Sequence, residues 1–258
     1  LMFWSSLLLA LRAIRRNLMR SFLTILGIVI GVSAVITMVT LGNGATRVVA
    51  DQIASLGSNL IMVRPGQRLG PGRDSAGAPR FKVGDAEAIQ TQIGGLNAVA
   101  PSTNRSVTVV YGANNWSTTI TGSTDAYFTV GNWRLTGGRA FAESEQRAGK
   151  AVCVIGETVR KELFGPRPAV GAELRISNFS CEVIGVLASK GQSAMGMDQD
   201  DTIVMPLRTL QRRLTGNQDV STLLVSVEDS ASTDRVMADL RLLLRERRKI
   251  ATNEDDNF

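Results

Sequence analysis

No histidine occurs anywhere in the chain, which removes the Ser-His, Cys-His and His-metal arrangements on which hydrolases and zinc enzymes ordinarily depend. Three small sets of reactive residues remain. Cys153 and Cys181 are the only cysteines. The acidic run Asp198-Gln199-Asp200-Asp201 could offer oxygen ligands to calcium, but it lacks the EF-hand spacing and reads equally as a solvated acidic turn. Glu143 and Glu145 could be posed as general acid and base, yet nothing in the sequence marks a burial contrast that would separate their pKa values. There is also no P-loop and no GxGxxG, the usual devices for ATP and dinucleotides. The expectation is a non-catalytic chain with no catalytic residue, cofactor or metal of its own, whose energy comes from another polypeptide or segment.

The elements that carry these residues need two solvents. With 44% hydrophobic and 20% charged residues over 258 positions the chain should fold. Its apolar residues form one long run in the first forty positions and short alternating runs afterwards. Ser21 to Leu41 has no charge and no proline, and about 20 such residues span a hydrocarbon core of roughly 30 Å. A signal peptide would have a shorter apolar region, about 7–15 residues, ending at a small-x-small site. Residues 21–41 are therefore predicted to be a transmembrane helix.

The formal net charge of +6 is concentrated rather than spread. Arg12, Arg15, Arg16 and Arg20 lie just before the span, whereas only Arg47 and Asp51 follow it closely. The positive-inside bias then predicts a cytoplasmic N-terminus, with residues after about 41 outside the cytoplasm. In the basic leader, residues 1–20, Leu7, Leu11, Ile14 and Leu18 fall on one helical face opposite the arginines, and Trp4 suits an interface. That pattern describes an amphipathic helix lying on membrane lipid, or else a cytoplasmic extension of the spanning helix. Gly27 and Gly31 form a GxxxG, with Ser33 and Ala34 adding small residues that would let another helix pack closely. A second basic cluster, Arg241, Arg245, Arg247, Arg248 and Lys249, reads as a solvated helix terminus. Neither cluster is interleaved with aromatic residues, so nucleic acid is not an expected partner.

Beyond the membrane the pattern alternates. Leu60 to Arg64 reads as a strand stopped by Pro65-Gly66, and Gly66 to Pro79 as a Gly/Pro/Arg-rich loop. Val83 to Ile93 reads as a helix with Asp85 as N-cap. Val107 to Tyr111 and Ser117 to Thr121 resemble a hairpin. Strands are expected at Ala151 to Ile155, Glu173 to Ile176, Cys181 to Leu187 and Ser221 to Val227, and helices at Glu157 to Phe164 and Thr233 to Lys249. The fold class is therefore α+β, with a mainly β middle. Cys153 and Cys181 both lie in apolar strands of that middle and should be close in space. In an oxidising compartment they would form a disulfide; otherwise they are two buried thiols acting as small hydrophobes.

An ordered series of motifs runs through the chain. It begins with Arg20-Ser-Phe-Leu-Thr-Ile-Leu-Gly-Ile-Val-Ile-Gly-Val32 and Leu60-Ile-Met-Val-Arg-Pro-Gly66. Gly138-Arg-Ala-Phe141, Val154-Ile-Gly-Glu-Thr-Val-Arg-Lys-Glu-Leu-Phe-Gly165 and Val183-Ile-Gly-Val186 follow. Asp200-Asp-Thr-Ile-Val-Met-Pro206 and Asn253-Glu-Asp-Asp-Asn-Phe258 close it. This series resembles the permease portion of MacB-type ABC transporters, in the wider group that includes FtsX and the lipoprotein-releasing, LolC-like permeases. The family often has histidine where Arg248 stands, and the Gly66 to Arg80 loop is unusually full.

The resemblance implies a homodimeric inner-membrane permease with four membrane helices per subunit, of which this chain holds the first. It implies a porter-like periplasmic subdomain, residues 42–122 and 207–258, with a β-rich subdomain inserted at 123–206. It also implies mechanotransmission. An ABC ATPase subunit or domain would close the dimer, and long helices would carry that motion outward, driving export through a periplasmic adaptor protein and a TolC-like outer-membrane channel. The alternatives within the group are a lipoprotein-releasing permease and an FtsX-like regulator of cell-wall hydrolases.

Overall fold

The computed structural model describes residues 18–55, 59–66, 78–193, 196–251 and 254–258, with side chains of 45–55 excepted. Arg12, Arg15 and Arg16 of the leader, and most of the Gly66 to Pro79 loop, lie outside the described residues. The chain divides into two units, 1–51 and 52–258.

The first unit is dominated by α1, Leu18–Ser55, whose 38 residues amount to about 57 Å of helix. Its stretch Leu18–Gly44 is long and apolar enough to cross a membrane. Thr24, Thr37 and Thr40 donate their hydroxyls to the carbonyls of Arg20, Ser33 and Ile36, four residues back, at 2.7–2.8 Å. These polar atoms are thus satisfied within the helix, as a lipid environment requires.

The second unit contains β1 (Leu60–Val63), α2 (Val83–Gln92), β2 (Leu96–Tyr111), β3 (Asn114–Ser123), α3 (Ala126–Val130), β4 (Leu135–Gly138) and α4 (Glu143–Ala148). It continues with β5 (Val152–Ile155), α5 (Glu157–Phe164), β6 (Glu173–Ile176), β7 (Phe179–Leu187) and β8 (Thr202–Pro206). A short α6 (Leu207–Leu210) runs into a π turn, Gln211–Thr215, before β9 (Thr222–Val227) and α7 (Thr233–Arg247).

Strand β2 serves two structures. Leu96 to Ser102 pairs antiparallel with β9, whose other edge pairs with β1. Alternation in β9 turns Leu223, Val225 and Val227 onto one face, where Ile89 of α2 and Val236, Leu240 and Leu244 of α7 complete a core. On the opposite face Val130 of α3 covers Ala98 and Ala100.

From Thr103 onward β2 pairs instead with β3, and the ladder continues through β8, β5, β7 and β6 until β6 pairs back with β2 at Val109 and Val110. The result is a closed six-stranded barrel with two parallel ladders, β3 with β8 and β5 with β7. Closure leaves these strands with no free edge within the ring. Every strand sends residues inward, among them Val109, Ile120, Ile155, Leu174, Val183 and Ile203. Val152, Val154 and Val204 point the other way, into a second apolar layer with Phe128 and Phe141. Strand β5 is therefore buried on both faces, and its continuous apolar run Val-Cys-Val-Ile reflects that.

The barrel takes β5 to β8 from residues 123–206 and two further strands from 103–123, ahead of that segment. At α2 the sequence reading of the cap is corrected. Lys82 holds the N-cap position, and Asp85 sits at N3 with its carboxylate accepting the Lys82 N–H at 2.8 Å.

Candidate functional site

Each residue with reactive potential has a definite place in the fold. Cys153 on β5 and Cys181 on β7 are joined by a disulfide inside the barrel, with Cα atoms 6.0 Å apart. The two strands are parallel neighbours, and alternation aims both side chains inward.

The acidic run is taken up by hydrogen bonds with different neighbours. Asp200, buried, accepts from the Ser189 hydroxyl and from the N–H groups of Lys190 and Gly191, the latter two at 2.7 and 3.1 Å. Asp198 accepts from the Asp200 N–H at 2.9 Å and the Thr158 hydroxyl at 2.6 Å. Asp201 accepts from the Trp116 indole N–H at 2.9 Å. Gly156 packs so closely on the Asp200 carbonyl that a Cβ would stand 2.1 Å from it, and its N–H donates to Thr202 at 2.8 Å. Two of the sequence motifs thus meet at this loop. Lys190 places its ammonium 4.2 Å from the Trp133 ring centroid and donates to the Gly131 carbonyl. Burial lowers the Lys190 pKa, with Asp200 opposing it.

Glu143 and Glu145 differ sharply in burial, a contrast the sequence does not signal. The Glu143 side chain is 78% exposed and pairs with Arg147 one turn on, whereas that of Glu145 is 8% exposed. Both Glu145 oxygens meet the Arg139 guanidinium at 2.7 and 2.8 Å, and one accepts the Ala142 N–H at 2.9 Å, closing the first turn of α4. The Arg139 hydrogen bonds, opposed by burial and aided by the Ala142 N–H, hold Glu145 at a pKa of about 2. A carboxyl ionised so firmly offers no acid at neutral pH.

The basic cluster at the end of α7 is not simply solvated. Arg241 and Arg245 clasp Asp256, Arg247 reaches Asp85 at 2.8 Å, and Arg248 lies over Phe81 at 4.7 Å while donating to the Pro79 carbonyl. Their partners come from α2, from the segment just before it and from the C-terminal tail, so only the tertiary fold assembles these contacts. In α1, the places where a Cβ would stand on Gly27 and Gly31 meet nothing within 4 Å among the described residues beyond the helix's own adjacent backbone, and Ala34 is exposed. Arg20 is the one orienting arginine within the described residues.

One concave site stands out in the second unit. A cleft of about 910 Å³ opens between the first turn of α2 and the corner made by α4 and α6, with Ser123 and Gln211 among its lining residues. Arg208 and Arg212 flank it from α6 and the π turn, donating to the Arg147 and Ala148 carbonyls at the end of α4.

The class defined is that of chains with one long apolar helix followed by an α+β domain built of a barrel and an open sheet. The chain belongs to the family described as MacB-like periplasmic core domain, whose profile matches residues 21–243. It is 39% identical over 248 residues to the macrolide export ATP-binding/permease protein MacB of Rhodospirillum rubrum, covering 95% of this chain and 38% of that one. The protein of the same name from Wolinella succinogenes is 34% identical over 236 residues, covering 92% and 36%. This chain therefore spans little more than a third of the length of these relatives. Among solved structures, the periplasmic region of MacB from Actinobacillus actinomycetemcomitans superposes with a TM-score of 0.64 at 23% identity, covering 76% of this chain and 87% of that one. The extracellular domain of the noncanonic ABC-type transporter YknZ, from Gram-positive bacteria, gives 0.60 at 20% identity, covering 73% and 95%. Both share the fold.

Proposed function

We propose that this chain is the first membrane helix and periplasmic domain of an ABC-type efflux permease, and that it works as a mechanical element rather than an enzyme. One observation carries the reading: the family match begins at residue 21, inside the apolar helix, and runs without a break into the folded domain. Helix and domain belong to one evolutionary unit. The arginines at 12, 15, 16 and 20 would hold the N-terminus in the cytoplasm. ATP would be hydrolysed by a partner or by another part of a longer chain. A second permease subunit would pack against α1, with Gly27, Gly31 and Ala34 allowing close approach. Export would proceed through a periplasmic adaptor protein and a TolC-like channel, and macrolides are the first cargo to test, since relatives carry that name.

The decisive experiment inserts Gly-Gly-Ser after Ala45 of the full-length permease. The uninterrupted helical run of α1 predicts that ATP hydrolysis continues while transport is lost, because the insertion separates motor from pump. Undiminished transport by that variant would refute mechanical coupling through this helix. A second reading, a permease working without an outer-membrane channel, draws on the fold shared with YknZ from Gram-positive bacteria. Lipoprotein release and FtsX-like control of cell-wall hydrolases fall under it. Co-purification of an adaptor, of a lipoprotein or of a hydrolase separates these readings.

A further inference from the structure

We propose that the cleft beside α2 binds an extended acidic peptide segment of a partner protein, gripped by Arg208 and Arg212. This does not depend on the transport reading.

The argument begins with which charges are already used. Four cations and two carboxylates line the cleft, Lys82, Arg147, Arg208 and Arg212 against Glu87 and Glu143. Lys82 is held by Asp219 at 2.6 Å, and Arg147 by Glu143 at 2.8 Å. Arg208 and Arg212 have no carboxylate partner among the described residues. Each gives one N–H to a main-chain carbonyl of α4, Arg212 only at 3.5 Å. A guanidinium has five N–H donors in a fork that matches a carboxylate, so these two retain most of theirs.

Gln211 lies between them and supplies a second, independent observation. It lines the cleft, the residue is only 7% exposed, and the one hydrogen bond of its side chain among the described residues is a 3.5 Å donation to the Asp219 carbonyl. Its Oε1 has no hydrogen bond among the described residues and is not sealed from water, so the amide can take a partner from the cleft. A primary amide can give to a backbone carbonyl and accept from a backbone N–H. Gln218 offers the same chemistry on the lining, and Gln146, whose Oε1 accepts the Asp125 N–H at 3.1 Å, adds amide donors. Carboxylate-binding arginines interleaved with amides suit a peptide strand bearing acidic side chains, whereas a lone phosphate would leave the amides idle.

The backbone supports the same reading. Gly216 N–H bonds to the Gln211 carbonyl at 2.8 Å, closing the π turn. That wide turn sends Arg212 toward α4 while Arg213 departs to lie over Phe179, 5.8 Å from the ring centroid. Single π turns are an uncommon irregularity often associated with function. The volume, about 910 Å³, falls within the range of ligand clefts. At about 3.3 Å per residue, four or five residues of strand extend about 15 Å.

The test uses the full chain in detergent micelles and the fluorescein-labelled probe acetyl-Gly-Glu-Asp-Glu-Gly-amide, read by fluorescence anisotropy. The acidic peptide is expected to bind at least tenfold tighter than its Gly-Gln-Asn-Gln-Gly counterpart, and to weaken as salt rises. The double variant R208Q/R212Q should lose about tenfold or more in affinity, while R213Q should bind as the parent does. Since the double variant could loosen the end of α4, the parent chain is also followed by NMR, where the side-chain amide of Gln211 should shift on titration. Equal binding of the amide counterpart, competition by inorganic phosphate at the peptide's own dissociation constant, an unaltered double variant or an unmoved Gln211 amide would each overturn the proposal.

Discussion

The Ser123 hydroxyl donates to the Pro101 carbonyl across 2.8 Å, at the point where β2 leaves the open sheet and joins the barrel. Pro101 still pairs with Leu223 of β9, and two residues later Thr103 pairs with Gly122 of β3. Backbone groups at such a change of partner are left without a regular ladder, and hydroxyls fill the gap. Thr103 donates to the Asp219 carbonyl at 2.9 Å, and the Ser221 hydroxyl donates to Ser102 at 3.0 Å. The bond between Ser123 and Pro101 is fully buried, so Ser123→Ala should destabilise the chain by about 1–3 kcal/mol through an unsatisfied carbonyl. Urea unfolding of the two proteins measures it, and a loss below about 0.5 kcal/mol would contradict this role.

The disulfide between Cys153 and Cys181 spans 28 positions, and a loop of that size restricts the unfolded chain by about 3.5 kcal/mol. Replacing both cysteines by alanine should therefore lower the denaturant midpoint while leaving the barrel able to form. Mass spectrometry of the unreduced chain gives the direct measurement. Two thiols freely alkylated after denaturation without reductant would exclude the bond.

Glu145 supplies a pH dependence whose sign is set by its depressed pKa. The folded value is about 2 against an ordinary 4.5, so the unfolded chain takes up the proton first as pH falls. Stability from this carboxylate is complete above about pH 4.5 and disappears as pH falls toward 2. Glu145→Gln should cost about 1–2 kcal/mol at pH 7, discounted because Arg139 is half exposed, and should flatten the decline between pH 5 and 3. Equal acid sensitivity in the two proteins would show that the pair with Arg139 contributes nothing.

Membrane orientation is checked with single cysteines in a background lacking Cys153 and Cys181. An impermeant maleimide applied to intact spheroplasts should label Asn217→Cys, which is exposed in the second unit, and spare Ser6→Cys in the leader. The reverse labelling would place the second unit in the cytoplasm and end the permease topology.

Much of the fold was readable because it is governed by local periodicity. The apolar run after Arg20, the helix Glu157–Phe164 and the strand Glu173–Ile176 stand where their sequences indicate, since each carries its own hydrophobic pattern and stop signals. The first half of β2 was not readable. Leu96 to Ser106 contains Pro101 and a polar stretch, Ser102-Thr-Asn-Arg105, that looks like a loop until β9 and β3 supply its partners. Strand β4, α4 and the π turn escaped for the same reason, being short segments held by neighbours rather than by their own pattern.

The sequence alone determined the long apolar helix, the missing histidine chemistry and the family, because composition and ordered motifs are properties of one dimension. Only the tertiary structure decided that six strands close into a barrel around Cys153 and Cys181. It alone decided that Asp200 is a buried acceptor, that Glu145 is locked to Arg139, and that Arg208 and Arg212 share a cleft with Gln211. Strand pairing and burial depend on segments up to more than a hundred residues apart meeting in space, as Pro101 and Leu223 do, and no local pattern encodes which of them will meet.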